Sequence, residues 1–157
     1  MPRKHWLLKT EPSVFSFDDL LSAPKKTSGW DGVRNYQARN LLRDEVAKGD
    51  GVLVYHSNVG MAVVGVAEVA RAGYPDPTQF DKAHDHFDEG ANPAEPRWFQ
   101  IDVRAVKKLK HPVSLERIKA DKELEGVALI RKGNRLSVQP VSPEHFARIL
   151  KLGETPE

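Results

Sequence analysis

Hydrophobic and polar positions run along this chain in short blocks whose period changes several times. Lys4 to Leu8 reads as a short strand that must stop before Pro12, which cannot donate to a central ladder. Ser16 precedes Phe17-Asp18-Asp19-Leu20-Leu21, a capped helix start with acids in its first turn, ended by Pro24. Asn35 can cap a second helix with Ala38, Leu41, Leu42 and Val46 on its apolar face, stopped by Gly49-Asp50-Gly51. Val52–Tyr55 and Ala62–Val69 read as buried strands around an Asn58-Val59-Gly60 turn. Gly65 inside the second run points to a bulge or a close approach. Residues 73–96 are rich in Pro and Gly and predict a long loop, a length usually kept for function. Trp98 to Ala105 alternates as a half-buried strand. A short helix at 114–118 follows, then a last strand over Arg135–Val138. A helix opens at Ser142-Pro143-Glu144, with Phe146, Ile149 and Leu150 on its buried face.

Strands in the middle with helices at the margins predict an α+β fold on a small sheet or barrel, the strands pairing as antiparallel hairpins. The 157 residues suit one domain with its own core. Cysteine is absent, which excludes disulfides, a thiolate nucleophile and Cys-bound metal. The start at Met1 has no apolar run of a signal peptide, and no stretch approaches a membrane helix, so a cytoplasmic protein is expected, or a nuclear one in a eukaryote. The 24 Lys+Arg against 22 Asp+Glu argue against a partner held by bulk charge. The placement is uneven, however. Asp76, Asp81, Asp85, Asp88, Glu89 and Glu95 gather in one loop, whereas Arg104, Lys107, Lys108 and Lys110, and then Arg131, Lys132 and Arg135, form basic clusters.

The densest chemistry lies in Trp30-Asp31-Gly32-Val33-Arg34-Asn35-Tyr36-Gln37-Ala38-Arg39-Asn40. Trp30 and Tyr36 offer flat faces for stacking a base, while Arg34 and Arg39 offer charge-assisted bonds to phosphate. The plainer reading is a core Trp followed by a helix capped by Asn35. Tyr55-His56-Ser57-Asn58 closes a strand and can present polar groups to a pocket. His56 and Ser57 are poorly placed as a base and nucleophile, since neighbours on a strand face opposite sides, and no nucleophile elbow is present. His84-Asp85-His86-Phe87-Asp88 has the look of a chelating motif, but no partner motif accompanies it, so solvated loop residues are the simpler account.

These blocks together resemble the EVE domain family. The resemblance rests on Trp6-Leu7-Leu8-Lys9-Thr10-Glu11-Pro12, the 30–39 segment, Gly49-Asp50 with Tyr55-His56-Ser57, Tyr74-Pro75-Asp76-Pro77-Thr78, Pro96-Arg97-Trp98 and Arg135-Leu136-Ser137-Val138-Gln139-Pro140-Val141, in family order from residue 6 to about 150. It implies one EVE domain over 1–157, with the PUA-like fold of a small mixed β-barrel flanked by short helices. It also implies a binding module for modified bases, notably modified cytosine. The pocket roles it implies fall on Trp30, Gly32, Val33, Arg34, Asn35, Tyr36, Tyr55, His56, Ser57 and Trp98, with Lys9 and Ser137 beside them.

The expectation is therefore a non-catalytic reader of a modified base in DNA or RNA, without cofactor or metal. Arg39, Arg104, Lys107, Lys108 and Lys110 are expected at phosphates. A lone reader carries no effector, so further protein partners are expected, and no membrane. Two other classes stand beside it. One is an aromatic cage for a methylated amine on a protein, built from Trp30, Tyr36, Tyr55 and Trp98, which needs Asp31 or Glu11 facing the pocket. The other is a hydrolase or nuclease using His56 or the His84–Asp88 loop with metal.

Overall fold

The computed structural model describes residues 3–156, so Met1, Pro2 and Glu157 of the leader and domain readings lie outside the described residues. Six strands form one sheet: β1 (His5–Thr10), β2 (Thr27–Gly29), β3 (Gly51–His56), β4 (Ala62–Pro75), β5 (Phe99–Ser114) and β6 (Val138–Val141). Their order is β2-β5-β4-β3-β1-β6. Four helices accompany them: α1 (Phe17–Ser22), α2 (Tyr36–Asn40), α3 (Leu115–Ala120) and α4 (Pro143–Leu152).

The α+β reading stands, but the sheet is open where a barrel was expected. Among the described residues β2 pairs with β5 and β6 with β1, and no ladder joins the two edges. Nor are all pairs hairpins: β1 and β3 run parallel, with Trp6 beside Val52 and Leu8 beside Val54. Parallel partners need a long crossover, and the chain supplies one in α1, β2 and α2. Pro140 sits in β6 at the sheet edge, where its missing N–H is tolerated.

Both faces of the sheet are buried. Trp6, Leu8, Val52 and Val54 point into one core with Phe17, Leu20, Trp30, Ala38 and Leu42. Leu7, Leu53 and Tyr55 point into the other with Ile118, Phe146, Ile149 and Leu152. Leu152, rather than Leu150, completes the buried face of α4. β5 serves both cores. Ile101, Val103 and Ala105 belong to the first, whereas Leu109 and Val113 belong to the second. All five have odd numbers, so a regular strand would put them on one face. The ladder with β4 slips between Ala67↔Ala105 and Val66↔Lys107, and that bulge turns the strand over. The expected strand ends at Ala105; the real one runs through the basic stretch to Ser114.

Several local signals act as expected. Ser16 and Asp19 form a reciprocal capping box on α1, and the Asn35 side chain accepts from the Ala38 N–H at 3.0 Å. Below α2 the helix widens into a π turn over Leu41–Glu45. Gly65 shows both features inferred for it, a register shift and a close approach: a Cβ there would run into the Phe17 ring. Residues 135–137, by contrast, are not strand. The Asn134 side chain takes the Leu136 N–H, and Gln139 donates to the Leu136 carbonyl at 2.8 Å. Side-chain amides thus satisfy backbone groups that a ladder would otherwise need. The long loop begins later than expected, after β4 reaches Pro75.

Candidate functional site

A cavity of about 600 Å³ opens beside Trp30, between the end of β1 and the segment that leaves β2. Its size lies within the range of small-ligand sites. Lys9, Trp30, Gly32, Val33, Arg34 and Ser137 all line it. Trp30 is 7% exposed and packs edge-on against Phe15 at 6.0 Å, so it is both core and cavity wall.

The wall is held from the far loop. Asp76 is fully buried and accepts from the Gly32 N–H at 2.9 Å, from Arg34 at 3.1 Å and from the Thr78 hydroxyl at 2.6 Å. Burial alone would raise this carboxyl, but bonds from Thr78, Gly32 and Arg34 outweigh it and hold the group below the usual range. Arg34 also donates to the Val33 carbonyl, to Thr78 and to the His86 carbonyl. It therefore ties loop to wall and is not a free phosphate ligand. Gly32 has φ +78°, and a Cβ on it would meet the His86 imidazole, so the position needs glycine twice over. Gln79, also fully buried, pins the loop base through the Trp98 and Arg97 N–H groups and the Trp98 carbonyl.

Charge in the cavity is mixed. Lys9 lines it together with Glu11, Asp31 and Asp85. Burial pulls the Lys9 ammonium below its ordinary value. Glu11, Asp31, Ser28 and the His84-Asp85-His86 run were not assigned to a base pocket from the sequence. The one signal for them was the long loop together with the carboxylates that a cage would require. Asp31, His84 and His86 bring possible metal-ligating atoms within 4.8 Å of one another. His84 Nδ1 already accepts the His86 N–H at 3.0 Å, which leaves the proton of a neutral ring on Nε2. Ligation by His84 would have to break that bond or displace that proton.

The remaining named residues lie elsewhere. Tyr36 stacks on Trp98 at 4.9 Å, and Trp98 Nε1 donates to Asp88 at 2.6 Å. Arg39 covers the Tyr36 ring and donates to the Arg97 carbonyl. Tyr55 is buried in the opposite core. His56 Nε2 accepts the Phe17 N–H at 3.0 Å, so the imidazole serves the start of α1 and not Ser57. The Ser57 N–H donates to the Thr10 carbonyl. Arg104 pairs with Glu68, and Lys108 with Asp18 at 2.9 Å. Lys107 and Lys110 are exposed on β5, and none of these four lines the Trp30 cavity.

Asn35 lines a second cavity of about 920 Å³, with Arg131, Lys132, Arg135, Ser142 and His145. The chain crosses from one cavity wall to the other within a single residue at two places, Arg34 to Asn35 and Leu136 to Ser137.

The chain is thus a mixed six-stranded sheet buried on both faces, with a cavity beside the end of β1. The profile of the EVE domain matches residues 4–152, and the chain belongs to that family. Thymocyte nuclear protein 1 of Mus musculus is 38% identical over 96% of this chain and 74% of its own length. A hypothetical protein from Leishmania major superposes with a TM-score of 0.91 at 44% identity, over 98% of this chain and 96% of that one. Human THYN1, solved in complex with 5-methylcytosine containing DNA, superposes with a TM-score of 0.91 at 36% identity, over 98% and 99%.

Proposed function

We propose that this protein is a non-catalytic module that binds DNA and reads a modified cytosine in the Trp30 cavity. The carrying observation is the likeness, over nearly the whole chain, to a human EVE protein solved with 5-methylcytosine containing DNA. The cavity chemistry agrees with a cytosine. That base offers an amine donor beside ring and carbonyl acceptors, and carboxylates suit the amine. Asp31 and Glu11 supply carboxylates, while Lys9 and Ser137 supply donors. Val33, Phe15 and Trp30 give apolar surface for a methyl group.

Taking a base out of its stack costs a few kcal/mol, and stacking on an aromatic returns roughly 1–3 kcal/mol. One methyl group adds only ~1–3 kcal/mol of discrimination. Titration with matched oligonucleotides carrying cytosine or 5-methylcytosine should therefore show a preference of about tenfold to 200-fold for the modified one. Asp31→Asn should reduce affinity while the protein stays folded, because Asp31 is exposed at the cavity edge. Equal affinity for both oligonucleotides overturns the reading.

The methylated-amine reading has one observation in its favour, the carboxylates of Asp31 and Glu11 in the cavity. Its aromatic set is missing, since Tyr36 and Trp98 stack on each other and Tyr55 lies in the other core. A trimethyl-lysine peptide in the same titration should not bind.

A further inference from the structure

The larger of the two cavities carries cations that no carboxylate among the described residues pairs. Arg131, Lys132 and Arg135 line it and are exposed, and no carboxylate lines it with them. None of the three makes an ion pair among the described residues. The β5 run differs in two ways: Arg104 and Lys108 there are paired to Glu68 and Asp18, and Lys107 and Lys110, exposed and without an ion pair among the described residues, line neither cavity. In a chain with nearly equal numbers of acids and bases, three unpaired cations around one groove form a local field.

The groove is also built, not frayed. Asn134 donates to the Ala128 carbonyl at 2.9 Å and accepts from the Leu136 N–H, which fixes the turn that carries the cations. Gly133, at φ +82°, makes that turn, and the space beside it is open. The Lys9 N–H bonds to the Ser137 carbonyl at 2.9 Å, so the same loop is tied to the strand that supplies Lys9 to the base cavity. Consecutive residues line the two cavities at Arg34/Asn35 and at Leu136/Ser137. The segments that line the Trp30 cavity at Arg34 and Ser137 therefore run directly into residues that line the cationic groove.

We propose that the Arg131–Lys132–Arg135 groove holds the phosphodiester backbone that flanks the base read in the Trp30 cavity. The proposal rests on the base-reading function and assigns the charge-dependent part of binding to this groove and not to the β5 run. Backbone contacts give affinity without sequence or modification preference, whereas the base cavity gives preference.

The test is anisotropy titration of matched duplexes with cytosine or 5-methylcytosine, from about 50 to about 200 mM salt. Three proteins are compared: the wild type, the triple variant Arg131→Ala/Lys132→Ala/Arg135→Ala, and the control Lys107→Ala/Lys110→Ala. The triple variant should lose roughly tenfold or more in affinity, by the same factor for both duplexes. Its plot of log affinity against log salt should flatten by about 2.7, close to one unit for each of the three lost contacts. The control should keep the wild-type slope. Charge-keeping Arg131→Lys/Arg135→Lys should restore most of the slope, which separates lost charge from lost fold. An unchanged slope in the triple variant overturns the groove, as does a flattened slope in the control alone. A wild type that binds both duplexes equally overturns the base reading; the groove then stands if the triple variant still flattens the slope. A wild type that binds neither duplex overturns both.

Discussion

The two cavities share a wall but differ in how they are made. The Trp30 cavity is an extension of the core: its aromatic wall is 7% exposed, and its backbone is clamped by a fully buried carboxylate from a distant loop. The groove is a surface feature, a fixed turn with long cations on its outside. In the first, the groups that shape the site also hold the protein together. In the second, the functional side chains hold nothing. The difference separates what a substitution can report, because changes in the first mix stability with binding and changes in the second isolate binding.

The largest effect should come from Trp30→Ala. Removing a buried Trp costs about 3–5 kcal/mol. Chemical denaturation should show that loss before any binding is measured. A stable Trp30→Ala protein would break the comparison, because it would make the ring a stacking surface laid over a core complete without it. The deletion therefore cannot serve by itself as a test of base recognition, and exposed Asp31 is the better probe.

Much of this architecture is readable in the sequence where neighbours decide it. Ser16 and Asn35 cap helices because the side chain and its target N–H lie three residues apart. Gly65 announces a close approach because only a missing Cβ leaves room for one, although the Phe17 ring that fills the room comes from a distant part of the chain. What cannot be read is set by distant partners. Arg34 and Asp76 meet across 42 positions, so an arginine that looks ready for phosphate is already committed. The Arg104–Lys110 and Arg131–Arg135 runs look alike as strings, but Glu68 and Asp18, far from either run in sequence, pair two cations of the first, and the fold sets only the second along a cavity. The Arg135–Val138 block has a strand's composition, and Asn134 and Gln139 divert it into the loop that divides the cavities. Lys9 and Ser137 are joined through a backbone bond that no local pattern signals.

A smaller effect comes from His56, which lies outside both cavities and sets the pH range in which they can be compared. Burial pushes this imidazole below its ordinary 6.5, with Asp18 opposing and Lys108 adding to the shift. The neutral ring is also what accepts the Phe17 N–H. The unfolded chain therefore takes up the proton first as pH falls. The stabilisation is complete above 6.5 and is lost progressively below it, down to the depressed folded value. Tm should fall as pH drops from about 7.5 to about 5.5, and His56→Gln, which can still accept the bond without titrating, should flatten that fall. His5, also lowered chiefly by burial, should leave a residual slope. An equally steep fall in His56→Gln would assign the effect elsewhere.

The smallest change in stability, and the sharpest separation of the two regions, should come from Asn35. This residue stands on the shared wall, is exposed, and lines the groove while its side chain caps α2. Aspartate caps a helix as well as asparagine does, so Asn35→Asp should leave stability within about 0.5 kcal/mol of wild type. The same substitution adds a negative charge to the cavity that Arg131, Lys132 and Arg135 line. At a distance of about 4 Å in water a unit charge is worth ~1 kcal/mol, so affinity for either duplex should fall roughly fivefold, and less at high salt. Asn35→Ala inverts the pattern, costing about 1 kcal/mol of stability with little change in the salt dependence. Denaturation and titration on the two variants distinguish a wall that only supports the base cavity from one that also borders a phosphate groove. If Asn35→Asp binds both duplexes as tightly as wild type at low salt, the groove is not where the backbone runs.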